Sequence, residues 1–188
     1  RAIRIRDGVR DRDRDGSDMK PILSQEYLKS LLHYVPETGV LRWKVKRSNI
    51  EVGNAAGAER GSGGYIQVQI DGRLYRAHRI IWKMMTGSEP PRFLDHINMI
   101  KNDNRWCNIR AATKSQNQAN TGLRSDNISG FKGVSRYSQG EASGNPWQAC
   151  IQIDGKSRGL GHFPTKEEAH AAYMAEAKKL FGDFARSA

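Results

Sequence analysis

The chain has 188 residues and sets 31 Lys and Arg against 20 Asp and Glu, a formal net charge of +11 that favours a polyanionic partner. No apolar run approaches the roughly 20 residues of a spanning helix and no apolar segment follows the first residues as a secretory signal requires, so the expectation is a soluble intracellular protein without a membrane partner. Cys107 and Cys150 carry no paired motif, which excludes a disulfide framework or a cysteine zinc site and leaves both expected as reduced, structural thiols.

The length suits two compact units, each on a modest hydrophobic core. Residues 1–18 alternate Arg with Asp and offer little to bury, so they read as a disordered tail of expression-vector or upstream-translated sequence. Their six Arg and five Asp nearly cancel, which assigns the positive excess to the rest of the chain.

From Ser24, an N-cap residue type, the run SQEYLKSLLHY puts Tyr27, Leu28, Leu31 and Leu32 on one helical face, and the helix is expected to end before Pro36. GVLRWKV, GYIQVQI and RLYRAH then read as one small antiparallel sheet, with a hairpin at Asp71-Gly72. AHRIIWKMMTG returns to helical spacing, with Ile80, Ile81, Met84 and Met85 apolar and Gly87 as a C-terminal stop.

Pro90 and Pro91 force an extended entry into the strand RFLDHI. Residues 97–108 are too polar and turn-rich for regular structure. A strand follows over NIRAA, and Thr113 with Gln116 marks a capping box opening the helix TKSQNQAN.

Residues 121–130 read as a linker between a unit spanning 19–120 and a second spanning 131–188. The second unit offers the strands KGVSRY, PWQACIQI and SRGLGHF, the last two joined through Asp154-Gly155. Thr165 and Glu168 suggest another capping box for a helix running to Gly182, with Ala169, Tyr173, Ala177 and Leu180 on one face. Alternation along PWQACIQI places Trp147, Ala149, Ile151 and Ile153 against that helix and Gln148, Cys150 and Gln152 outward.

The segment LDHINMIKNDNRWCNIRAATKSQNQAN resembles the HNH nuclease family in its phage and intron-associated homing form. His96, Asn108 and Asn117 stand 12 and 9 residues apart, with Asp95 directly before the histidine. YVPETGVLRW, GYIQV and YRAHRIIW extend the likeness upstream, to about residues 34–120. Any one of these residues alone reads as an ordinary turn former, and the joint spacing is what points to chemistry.

The resemblance implies an α+β fold with a ββα-metal nuclease motif. By the same resemblance His96 is the general base, Asp95 and Asn117 hold one Mg²⁺ or Mn²⁺, and Asn108 orients His96 through the loop backbone. The substrate would be double-stranded DNA, nicked once per binding event to leave a 5′-phosphate and 3′-hydroxyl, with no small-molecule cofactor and a monomer favoured. Asn104 reads as a loop-holding residue and His78 as a partly buried structural histidine, with contact to DNA or the site as its other reading. Met99 and Ile100 depart from the family, which commonly places Gly after DHIN.

From about residue 129 to 186 the chain resembles the DNA-binding domain of plant ethylene-response factors, the APETALA type, a three-stranded antiparallel sheet packed on one helix. Lys132, Arg136, Gln148, Gln152 and Arg158 are the residues this likeness assigns to DNA, with a merely solvated polar face as the plainer reading. The expected protein is a sequence-directed endonuclease of a phage or mobile element acting in bacterial cytoplasm. The alternative is a DNA-binding regulator or architectural protein whose nuclease unit has lapsed.

Overall fold

The computed structural model describes residues 21–61 and 63–187, so the expected tail over residues 1–18 lies outside the described residues. Short helices and small antiparallel sheets alternate along the chain, a mixed α and β architecture. Among the described residues, no helix is long and apolar enough to cross a membrane.

Helix α1 (Gln25–Leu31) starts as expected, with Ser24 accepting the Tyr27 N–H. It ends earlier than its periodicity suggests, because Leu32 turns extended (φ −126°, ψ 143°) and opens strand β1 (Leu32–Val35). The reason is a second period in the same letters: Leu32 and Tyr34 alternate inward and pair across the Pro36–Gly39 turn with β2 (Val40–Trp43), which buries Leu41 and Trp43. Tyr27, freed from the core face, hydrogen-bonds Asp71 at 2.9 Å.

The expected single sheet divides in two. β2 pairs with β1, whereas β4 (Ile66–Ile70) pairs with the short β3 (Ala58–Glu59) and with β5 (Arg73–Arg76). The β4–β5 hairpin turns where expected, with Asp71 and Gly72 both at positive φ (50° and 77°), the two-residue turn that matches strand twist. Helix α2 (Ala77–Thr86) follows and ends at Gly87 in the left-handed conformation. Its Ile80, Ile81 and Met84 close one core with Leu28, Leu32, Val68 and Ile70, while Met85 faces outward. Each fully buried aliphatic there contributes about 1.5–3 kcal/mol.

Strand β6 (Phe93–His96) pairs with β7 (Ile109–Ala112), setting Asp95 opposite Arg110 and His96 opposite Ile109. The intervening loop holds one short 3-10 turn, Trp106–Asn108. Helix α3 (Lys114–Ala119) carries the full capping box of Thr113 and Gln116. Residues 121–130 form no helix or strand.

The remaining strands β8 (Val134–Arg136), β9 (Trp147–Ile153) and β10 (Lys156–Phe163) make an antiparallel sheet in the order β10-β9-β8, with helix α4 (Lys166–Phe181) against it. Thr165 accepts the Glu168 N–H at the start of α4. The buried stripe of α4 is Ala169, Tyr173, Ala177 and Phe181; Leu180, expected in that stripe, faces solvent one position earlier. α3 joins this second core, for Ala119 clusters with Ile151, Tyr173, Ala177 and Phe181. Ser115 bonds Asp154 at 3.0 Å and Gln118 bonds Gln152 at 2.7 Å along the same contact.

Candidate active site

Asp95 and His96 end strand β6 and, as strand neighbours, leave it in different directions toward different hydrogen-bond partners, while the Asp95 charge still acts on the His96 ring. Both are buried, at 5% and 6% exposure, and a buried polar side chain must find partners there.

His96 sets Nε2 at 3.2 Å from Asn104 Oδ1. The Asn104 amide donates the other way, to Asn102 O at 3.3 Å, so its oxygen is the atom facing the ring. Nε2 therefore carries the proton, and the lone pair lies on Nδ1, which has no hydrogen-bond partner among the described residues. The rings of Tyr65 and His78 stand 6.0 and 5.1 Å from His96 by centroid. Burial lowers the His96 pKa from its ordinary value, against the opposing pull of Asn104 and Asp95, and keeps the ring neutral. His78 is buried more deeply, and desolvation with the nearby His96 pushes its pKa well down.

Asn104 is itself 1% exposed and held from outside its loop: Tyr34 on β1 donates its hydroxyl to the Asn104 carbonyl at 2.7 Å. Asn108 makes no side-chain hydrogen bond to His96. Its amide bonds Asn98 Oδ1 at 2.9 Å and Asp103 O at 2.8 Å, and its oxygen receives the Asn98 N–H at 3.0 Å, stapling the loop between the two strands. The residue in direct contact with the imidazole is thus Asn104.

The loop bends through Met99, whose N–H donates to His96 O and whose φ is +63°. That is the conformation for which Gly is the cheap choice, so Met99 carries roughly 1–2 kcal/mol of backbone strain. Met99 and Ile100 are 37% and 54% exposed beside the histidine.

The Asp95 carboxylate accepts from Arg110 Nε at 2.8 Å on Oδ2 and from Asn120 Nδ2 at 2.9 and 3.0 Å on both oxygens. Asn120 also donates to His96 O at 2.9 Å. Asn117 lies three residues before Asn120, on the same side of α3, half-buried and with no side-chain hydrogen bond among the described residues. Neither Arg110 nor Asn120 carries a motif letter that singles it out in the sequence.

A divalent ion can be tested against this geometry. A carboxylate offers about four lone-pair positions; the Arg110 Nε–H takes one on Oδ2, and the Asn120 amide, which also serves His96 O, lies against both oxygens, so a direction at Oδ1 stays open. A carboxylate and an uncommitted carboxamide suit a hard cation that retains water ligands. Among the described residues no group of three or more His, Cys, Asp or Glu forms a ligand set, so an ion here would rest on Asp95 and Asn117 with water.

Residues 75–119 match the family model described as HNH endonuclease. The HNH segment thus includes α2, the β6–β7 ribbon and α3, with Asp95, His96, Asn104, Asn108 and Asn117. The chain is also 32% identical over 127 residues to an uncharacterized HNH endonuclease of Acanthamoeba polyphaga mimivirus, an alignment covering 66% of this chain and 63% of that relative. No solved structure matches the chain.

The residues expected at DNA in the C-terminal part do not share one surface. Partners in register point the same way, so Gln148 and Gln152 lie on the outward face with Ser135, Ser157 and His162. Arg158 pairs with Ile151 and Arg136 with Trp147, which puts both arginines on the helix side; Arg158 meets Glu176 of α4 and Arg136 meets Glu141 at 2.6 Å. Lys132 donates to the carbonyls of Gln118, Ala119 and Thr121, capping the end of α3. Burial and the neighbouring Arg186 push its pKa down to about 8.

Proposed function

We propose that the protein is a DNA endonuclease that hydrolyses a phosphodiester bond by a histidine-activated water. The observation that carries this reading is His96, buried and neutral, its Nε2–H engaged by Asn104 and its Nδ1 uncommitted, one residue from the buried carboxylate of Asp95 within the HNH segment. Nδ1 accepts a proton from water, the resulting hydroxide attacks phosphorus, and the bond to the departing 3′-oxygen breaks. Asp95 and Asn117 would hold one Mg²⁺ or Mn²⁺. When bound, such an ion neutralises charge on the phosphate and the leaving oxygen. Asn104 fixes the tautomer of the base, and Asn108 fixes the loop that carries Asn104.

The division into a nuclease unit over residues 19–120 and a recognition unit over 131–188 belongs to the same proposal. An antiparallel sheet with a helix behind it supports the ethylene-response-factor-like reading of the C-terminal part, in which Gln148 and Gln152 read base edges. The net charge of +11 supports a polyanionic substrate, which this reading takes as duplex DNA, nicked once per visit by a single centre of a mobile-element protein.

Supercoiled plasmid incubated with Mg²⁺ tests the reading. The wild type should convert it to nicked circles, and His96→Ala should lower the rate by about 10²–10⁴-fold while DNA binding persists. Intact plasmid with wild-type protein that still binds DNA would instead support the lapsed, regulatory alternative.

A further inference from the structure

The Asp95 carboxylate is held by two donors, Arg110 and Asn120, and each is in turn held by residues 183–186, far outside the HNH segment. Arg186 Nε donates to Asn120 Oδ1 at 2.7 Å, and its guanidinium also reaches the Ile97 carbonyl. The Arg110 guanidinium lies 3.4 Å over the Phe184 ring and donates to Asp183 O at 3.3 Å. We propose that Arg186 is a positioning residue for the nuclease centre, setting the Asp95 carboxylate through Asn120. The C-terminal segment is then a working part of the site.

The physical reason lies in the symmetry of a carboxamide. Asn120, 2% exposed, could turn either its NH₂ or its oxygen toward Asp95. Arg186 has only donors, so it draws the Asn120 oxygen to itself and leaves the NH₂ for Asp95 and His96 O. With the amide reversed, an oxygen would face the carboxylate and the two would repel. Phe184 does the parallel duty for Arg110, whose Nη2 is buried without a hydrogen-bond partner among the described residues and whose plane is fixed by stacking. Two independent contacts therefore converge on one carboxylate from the same four residues.

The inference rests on the endonuclease reading, and its test separates the two. Mn²⁺ binding to the full chain is measured by electron paramagnetic resonance, alongside DNA affinity and thermal melting, for wild type, Arg186→Gln and Arg186→Lys. Outer contacts of this kind are worth about 10–100-fold in metal affinity. Arg186→Gln should weaken Mn²⁺ binding by about that factor, with DNA affinity within about twofold of wild type and a cooperative melt retained. Arg186→Lys, a donor-only cation, should recover part of the loss. Unchanged Mn²⁺ affinity in Arg186→Gln, or equal losses in the Gln and Lys variants, overturns the positioning role while leaving the nuclease intact. Failure of the wild type itself to bind Mn²⁺ and to nick overturns the endonuclease reading and this inference with it.

Discussion

His78 and His96 share one pocket, and in both desolvation lowers the pKa from the ordinary 6.5, more strongly in His78. The unfolded chain takes up protons near pH 6.5, whereas the folded chain does so only at lower pH. Between those points the unfolded state binds more protons, so stability must fall as pH drops below about 6.5 and is fully present above it. Melting temperature against pH should show that decline, and His78→Phe should flatten it; an unaltered profile in the variant would remove His78 from the account. Nicking should follow the same direction, rising through the depressed His96 pKa and level by neutral pH. Asp95, His96 and Asn117 are visible in the letters because their spacing repeats a known pattern. Asn104 stands there too, yet only the fold shows that it, and not Asn108, hydrogen-bonds the ring.

Among the elements, the β1–β2 hairpin has the least obvious duty. Gly39 ends its turn at φ +74°, and a Cβ there would stand 2.5 Å from the backbone of both Asn104 and Arg105. Gly39→Ala should therefore cost about 2–4 kcal/mol, through left-handed strain and overpacking, and should displace Asn104 from His96. Chemical denaturation measures the first effect, and the His96 ring resonances in NMR the second. Local pattern announces most helix starts and the 71–72 hairpin, since caps and turn residues act within four positions. It misplaces the end of α1 because LLHY satisfies both a helical and an alternating period, and only pairing with β2 decides between them. The faces of Arg136 and Arg158 are not legible locally for a similar reason: they take their side from register with Trp147 and Ile151, and register is a long-range property.

At the level of the whole molecule, α3 bridges the site and the second core: its C-cap Asn120 bonds Asp95, and Ala119 belongs to the α4 cluster. Lys132, Ser115 and Gln118 tie the same helix to the C-terminal sheet. Proteolytic nicking at the exposed Arg124–Asp126 turn should accordingly yield two pieces that elute together on size-exclusion chromatography and part only in denaturant. Separate elution under native conditions would mean that these contacts do not hold in solution. None of this joining is legible in sequence, where residues 121–130 read as a linker.

The boundary of resemblance and the boundary of the working object differ here. The matched segment stops at residue 119, one position short of Asn120 and more than sixty short of Phe184 and Arg186. Anyone transplanting that portable-looking cassette into a new scaffold would carry away a histidine, a carboxylate and a helix, and leave behind the clamps that aim them.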